Sequence, residues 1–186
     1  GPLSDTKGRK FAILLGMVIF CIGSLISMLA QSFEWLLIGR LVQGLGVSGP
    51  KIATRALIRD QYRGAAMARI MSFVMMFFIL VPMLAPVIGQ VIITFFHWQM
   101  IFGFFLVMTI IIGIWFQIRQ EETLTKDKRI PFSIKAIASA SKNIIKDPVI
   151  MAYATTAGIL FGALLLYLGM SQAIFQDIYA IVEHFP

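Results

Sequence analysis

Charged and amide side chains interrupt a long apolar segment in the first third of the chain. The segment runs from Trp35 to Asp60 and contains Arg40, Gln43, Lys51 and Arg55. At about 100° per residue, these side chains fall on one face of a helix. A charge at the centre of a membrane span costs about 2.5 kcal/mol or more, so it normally faces a bundle interior or a water-filled cavity. The segment therefore predicts a helix with one face against a polar interior.

Arg40 could bind a ligand or compensate a charge, but it cannot carry a proton, because an arginine stays protonated. No carboxylate lies in the middle of an apolar run. A titrating carboxylate would therefore lie outside this sequence, or Arg40 would work through another partner that the sequence does not reveal. Two other interpretations remain open: Arg40 extends its side chain to the nearer membrane surface, or it is the structural partner of an acid elsewhere.

The composition is typical of a membrane protein. Of the 186 residues, 59% are hydrophobic and 13% are charged, whereas soluble domains average about 45–50% apolar and about 25% charged residues. The net charge of +7 would suggest nucleic-acid binding in a soluble protein, but here the cations flank the apolar runs. That placement is the one that sets membrane orientation. We therefore expect a lipid bilayer as a partner and no nucleic acid.

Several classes of chemistry lack the residues that they need. Cys21 is the single cysteine, so the chain can form neither an internal disulfide nor a cysteine metal site. His97 and His184 have no metal-ligand spacing with any acid. The sequence contains no P-loop, zinc signature or intramembrane Ser/His/Asp group, which argues against an ATP-driven pump and a membrane hydrolase. We expect no enzymatic activity, no metal and no cofactor.

Five apolar runs are long enough to cross about 30 Å of hydrocarbon, which needs about 20 residues. They cover residues 11–30, 35–58, 70–96, 98–118 and 149–170. The third run contains Pro82, Pro86 and Gly89 at helical spacing, which predicts a tilted or bent helix. Ser32 and Asp147 are predicted to cap the second and fifth spans. The predicted fold class is an all-α integral membrane protein with five transmembrane helices.

The basic residues predict the orientation of the chain. Lysines and arginines precede the first run and separate the second from the third and the fourth from the fifth, whereas the opposite loops contain none. By the positive-inside rule, the chain begins in the cytoplasm and ends outside. From Pro131 onward, the long basic connection has isoleucines at helical spacing. This pattern fits an amphipathic helix on the inner membrane surface or a solvated linker helix.

The first ten residues, GPLSDTKGRK, form a glycine-bounded turn with an acid and a basic cluster just before the first span. This segment closely resembles the cytoplasmic-loop signature of the major facilitator superfamily. The matching positions are Gly1, Leu3, Ser4, Asp5, Gly8, Arg9 and Lys10. Thr6 departs from the basic residue usual there, and Lys7 beside it supplies a charge instead. The resemblance implies a cytoplasmic gate formed by Gly1, Asp5, Gly8, Arg9 and Lys10, in which Asp5 pairs with a basic residue or a helix N-terminus.

Two later motifs resemble those of drug exporters in the same superfamily. Arg40, Gln43, Gly44 and Gly46 in LIGRLVQGLGVSG resemble the fourth-helix signature of proton-driven exporters, in which the embedded arginine is linked to proton coupling or to the binding cavity. Pro86 and Gly89 match the fifth-helix motif of antiporters, although other positions lack its usual glycines. Together with RALIRD and HWQMIFGF, this segment looks like the proline-rich version in the bicyclomycin/chloramphenicol-resistance branch.

The resemblance implies a twelve-helix transporter of which this chain is a fragment covering about the third to seventh helices. Residues 1–118 would end the N-terminal six-helix bundle, residues 119–148 would form the cytoplasmic linker, and residues 149–186 would begin the C-terminal bundle and an outer loop. The implied function is proton-coupled export of small amphipathic or apolar drugs by alternating access, by a monomer in a bacterial inner membrane. Arg40 and Gln43 would face the central cavity. The alternatives are a proton-coupled uptake symporter for a metabolite and a non-transporting membrane scaffold or receptor.

Overall fold

The described part of the chain is helical. A computed structural model describes residues 2–125, 127, 129, 131 and 133–173. Among these residues there are seven α-helices and no strand: α1 (Pro2–Lys7), α2 (Arg9–Met28), α3 (Phe33–Gln61), α4 (Gly64–Phe95), α5 (Met100–Arg119), α6 (Ile134–Lys146) and α7 (Pro148–Ala173). Helices α1 to α5 belong to one compact unit, and α6 and α7 belong to a second.

Helices α2 and α3 form an antiparallel hairpin whose contact surface consists of small residues. A Cβ atom built on Gly23 would lie 2.5 Å from the backbone nitrogen of Gln43. A Cβ atom on Gly46 would likewise lie 2.5 Å from the backbone nitrogen of Phe20. Because side-chain atoms do not fit at such distances, glycine at these positions lets the two backbones approach closely.

Helix α5 packs against α2 and extends this core. The rings of Phe20 and Phe105 are 6.5 Å apart in a tilted arrangement, a geometry favoured by the quadrupoles of aromatic rings. A buried apolar cluster with two partly buried neighbours lies between the helices: Ala12, Ile13, Ala53 and Leu57, with Met17 and Phe116 packed against them. The best-packed part of the first unit is therefore α2, α3 and α5.

Helix α4 differs from its neighbours because it has no buried residue. It begins at Gly64, before the predicted span, and continues through Pro82 and Pro86 to Phe95 as one helix. The two prolines therefore do not break the helix, although each removes a backbone donor from its ladder. The described part of the chain leaves α4 largely uncovered.

Two helix starts are capped as predicted. The Ser32 side chain accepts a hydrogen bond from the backbone nitrogen of Trp35 at 3.5 Å, at the start of α3. Asp147 Oδ1 accepts from the backbone nitrogens of Val149 at 2.9 Å and Ile150 at 3.2 Å, just before α7. These bonds satisfy N–H groups that have no partner within their own helix.

Within the described residues, four helices are long and apolar enough to cross a membrane, namely α2, α4, α5 and the Pro148–Tyr167 part of α7. The second predicted span lies in α3, which has 29 residues. At 1.5 Å per residue, α3 is about 43 Å long, but Arg40, Lys51 and Arg55 make it more polar than the other four. Its apolarity alone therefore does not identify α3 as a span. Its length and its packing against α2 indicate that it runs alongside one.

Candidate functional site

Arg40 is the outermost member of a series of hydrogen-bonded groups that extends from α3 to α2. Its Nη1 atom donates to Gln43 Oε1 at 3.3 Å, and Gln43 Nε2 donates to Ser24 Oγ at 2.7 Å. Ser24 Oγ in turn donates to the carbonyl oxygen of Phe20 at 2.9 Å. Ser24 is fully buried and Gln43 is 4% exposed, so this chain of bonds fixes the rotamer of Gln43 and presents its oxygen to Arg40.

The guanidinium group of Arg40 also contacts α5. It lies over the ring of Phe102, 5.7 Å from the centroid, within the range of a cation–π interaction. Phe102 is itself held edge-on by the rings of Trp98 at 6.1 Å and Phe105 at 6.4 Å. Among the residues that the structure describes, Arg40 forms no ion pair. Its positive charge is therefore held by an amide oxygen and an aromatic face.

The structure gives the residues of the fourth-helix signature different surroundings, although Arg40 and Gln43 are hydrogen-bonded to each other. Gln43 was expected to face the same cavity as Arg40, but its side chain lies in the α2–α3 interface. Arg40 is exposed. Gly44 is also exposed, and a Cβ atom built on it would meet nothing within 4 Å. The neighbouring Gly39, Gly46 and Gly49 are in close contact with α2.

A second polar cluster surrounds Arg9 at the opposite end of the α2–α3 hairpin. We call this end of the hairpin the Arg9 end. Arg9 forms an ion pair with Asp5, as the loop signature implied, and a second one from Nε to Asp60 Oδ2 at 3.1 Å. Its Nη1 atom also donates to Ser4 Oγ at 2.9 Å. Arg9 is 7% exposed, and its side chain joins α1, α2 and α3. Asp60 was not predicted as a member, although it lies in RALIRD at the matching end of its helix.

Glu122, which follows α5, caps the start of α2. Its Oε1 atom accepts from the backbone nitrogen of Arg9 at 2.9 Å, and its Oε2 atom accepts from that of Lys10 at 3.1 Å. A carboxylate at this position satisfies two free N–H groups and interacts favourably with the positive end of the helix dipole. Gly8 precedes α2 at φ 110° and ψ 158° and provides no side-chain cap. A Cβ atom on Gly8 would overlap the Glu122 carboxylate.

Lys10 extends this connection, because its Nζ atom donates to the carbonyl oxygen of Gln117 near the end of α5 at 2.8 Å. Four of the five predicted gate residues are thus described: Asp5 and Arg9 pair directly, Gly8 makes room for Glu122, and Lys10 contacts α5. Gly1 lies outside the described residues. Sequence reasoning missed Glu122, which contacts Arg9 from 113 positions away along the chain.

The predicted helix-bend residues lie apart from both clusters. Pro82 and Pro86 are exposed in α4. A Cβ atom built on Gly89 would meet nothing within 4 Å. The structure therefore places these residues in a helix with no buried residue, and it brings them neither to Arg40 and its hydrogen-bond partners nor to the Arg9 end.

Comparison with known proteins identifies the family. The model of the Major Facilitator Superfamily matches residues 1–184. The chain belongs to the Major Facilitator Superfamily. The predicted family is thus confirmed, and the four apolar helices fit a multi-pass membrane protein.

The curated relatives include transporters and drug-resistance proteins. The chain is 33% identical to an uncharacterized MFS-type transporter, YdgK of Bacillus subtilis, over 97% of its own length and 46% of that protein's length. It is 29% identical to a bicyclomycin resistance protein homolog of Haemophilus influenzae, over 97% of the chain and 46% of the relative. It is 23% identical to the multidrug resistance protein MdtM of Salmonella typhimurium, over 95% of the chain and 43% of the relative. The chain therefore spans just under half the length of these relatives.

Proposed function

We propose that the protein to which this chain belongs is a proton-coupled transporter that exports small amphipathic or apolar compounds by alternating access. The observation that carries the proposal is Arg40, a cation within a helix of the packed bundle that is held by Gln43 and Phe102 and, among the described residues, by no carboxylate. Relatives named for resistance to bicyclomycin and to multiple drugs support the substrate class.

In this proposal Arg40 binds whichever negative charge is present at its side of the cavity. It stays protonated, so its role is to stabilise the ionised form of a carboxylate that lies outside this chain and takes up and releases the proton. An opposite charge within about 4–6 Å favours the ionised form of a carboxylate. The loss of a proton and the binding of a substrate would then compete for the same guanidinium. Gln43 serves as a positioning residue for Arg40.

The Arg9 end is the proposed cytoplasmic gate. Arg9 pairs with Asp5 and Asp60 at once, so α1, α2 and α3 are held together there. Opening toward this side would require these ion pairs and the Glu122 cap to separate or to move as one body. The proposed hinge is α4 at Pro82, Pro86 and Gly89, because a helix with few contacts can change its direction without disrupting a packed core.

The remaining parts of the proposal follow from the family. We propose a bacterial inner-membrane location with the start of this chain in the cytoplasm, a monomer, and a proton gradient instead of a cofactor as the energy source. The positive-inside rule supports the orientation.

Everted membrane vesicles containing the full-length protein test the activity and its direction. With a preset proton gradient, addition of an exported compound should dissipate the gradient, and a pH-sensitive dye reports the change. Arg40→Ala should reduce the dissipation about tenfold, since it removes the cation that favours the ionised form of the carboxylate, and a neighbouring arginine lowers a carboxylate pKa by about one unit or more. Arg63→Ala is the matched control, because Arg63 is an exposed arginine between α3 and α4. Equal dissipation by Arg40→Ala and the wild type at equal expression would contradict the role of Arg40.

A further inference from the structure

A cavity of about 630 Å³ opens at the Arg9 end, between α3 and the first turns of α4. Three cations from one face of α3 line it at intervals of four residues: Lys51, Arg55 and Arg59. The cavity reaches along α3 from Arg59 to Ser48, a distance of about 16 Å at 1.5 Å per residue. It therefore extends from one end of the helix to about its middle.

The charges around this cavity do not balance. Asp5 is the one acid among its lining residues, and it is already paired with Arg9. Within the described part of the chain, Lys51, Arg55 and Arg59 form no ion pair. Three cations held on one rigid helix face repel each other and favour the entry of negative charge. The cavity would correspondingly disfavour a cationic ligand.

Part of the cavity wall is apolar. Ile52 of α3 and Met67 and Met71 of α4 contribute to it. Methionine side chains are flexible and polarisable, so they adapt to apolar groups of varied shape. A ligand with a charged group and an apolar body could therefore place each part against a matching surface.

We propose that this cavity binds amphipathic organic anions and that such anions are a substrate class of the transporter. The carboxylate or sulfonate of the ligand pairs with Lys51 and Arg55, and its apolar body lies against Ile52, Met67 and Met71. The inference rests on the proposed transport function. It adds that the Arg9 end selects substrates by charge.

Three probes that share one apolar body test the charge preference: pyrenebutanoate, pyrenebutanol and pyrenebutyl-trimethylammonium. Binding to the purified full-length protein, in nanodiscs of zwitterionic phosphatidylcholine, is measured by fluorescence titration. The anion should bind about fivefold more tightly than the alcohol, since a single exposed ion pair contributes up to about that factor. The trimethylammonium probe should bind more weakly than the alcohol.

Two variants locate the effect. Lys51→Gln/Arg55→Gln should abolish the preference for the anion and leave the affinity for the alcohol within about twofold. Arg63→Gln removes one cation that does not line the cavity and should leave the preference unchanged. Lys51 and Arg55 are both exposed, so the substitutions should not disturb the core. Elution as a single symmetric peak in size-exclusion chromatography checks that each variant is folded.

Several results would overturn the inference. Equal affinities for the three probes would show that carboxylates from another part of the protein neutralise the cations. If wild type and double variant no longer differ in their preference for the anionic probe when the nanodiscs contain phosphatidylglycerol, the cavity holds a lipid headgroup instead. Proton-gradient dissipation by the three probes in everted vesicles distinguishes a failure of the transport proposal from a failure of the anion-site proposal. If no probe and no drug dissipates the gradient, the transport proposal is wrong. If the trimethylammonium probe alone dissipates it, the anion-site proposal is wrong.

Discussion

The contact between Gly8 and Glu122 leads to a quantitative prediction about how α2 is held. Gly8→Ala would place a methyl group where the Glu122 carboxylate lies and would force an alanine to adopt φ 110° and ψ 158°. This backbone region is essentially restricted to glycine and costs about 1–3 kcal/mol for other residues. The substitution should therefore both strain the backbone and displace the cap from α2.

The two costs can be separated by a double-mutant cycle. Glu122→Ala alone removes the hydrogen bonds to the backbone nitrogens of Arg9 and Lys10, and loss of a helix cap costs about 1 kcal/mol. Gly8→Ala alone should cost about 3 kcal/mol, of which about 2 is backbone strain and about 1 is the lost cap. The double variant loses the cap only once, so it should also cost about 3 kcal/mol. The coupling free energy is thus about 1 kcal/mol.

Equilibrium unfolding of the full-length protein in mixed micelles, followed by circular dichroism, measures the four free energies of unfolding. Gly64→Ala is the matched control: Gly64 also has a positive φ, 57°, but a Cβ atom there would meet nothing within 4 Å. Combined with Glu122→Ala, the Gly64 substitution should be additive. Additive costs for the Gly8 pair as well would refute the conclusion that Gly8 makes room for the Glu122 cap.

Two further predictions concern the interface between α2 and α3. Ser24→Ala should lower the free energy of unfolding by about 1–3 kcal/mol, because it leaves the Gln43 amide nitrogen without its buried acceptor. The control Ser72→Ala removes a hydroxyl from an exposed position in α4 and should change the free energy of unfolding by less than about 0.5 kcal/mol. If both variants lost a similar amount of stability in the same unfolding assay, the role of Ser24 would be contradicted. Gly46→Ala should lower the free energy of unfolding by about 1–3 kcal/mol, because the added methyl group overpacks against Phe20. Gly44→Ala should be neutral or stabilise α3 by up to about 1 kcal/mol. A larger loss of stability for Gly44→Ala than for Gly46→Ala would contradict the observed packing face.

The features that sequence reasoning predicted are those that local chemistry determines. Ser32 and Asp147 cap helices through bonds to backbone groups two or three residues away, so their patterns are visible in a short stretch of sequence. The pairing of Asp5 with Arg9 is also local, at a spacing of four residues. Apolar runs of about 20 residues similarly indicate where long helices occur.

The position of Gln43 could not be predicted in the same way. At about 100° per residue, Gln43 lies about 60° from Arg40 on one side and about 40° from Gly39 on the other. Periodicity therefore allowed both the polar face and the packed face. The choice depends on Ser24, which offers an acceptor on α2 at 2.7 Å. A partner on another helix is not part of the helical pattern of α3, so its effect appears only in the folded structure.

Long-range partners also explain what holds the hairpin together. Asp60 and Glu122 approach Arg9 from 51 and 113 positions away along the chain. With the Gln43–Ser24 bond further along the hairpin and the glycine contacts between, α2 and α3 are joined along most of their length. A conformational change that moves Arg40 on α3 would break the buried Gln43–Ser24 bond unless α2 moved with it. We therefore expect α2 and α3 to move as one rigid pair in the proposed transport cycle, with α4, which has no buried residue, accommodating the change.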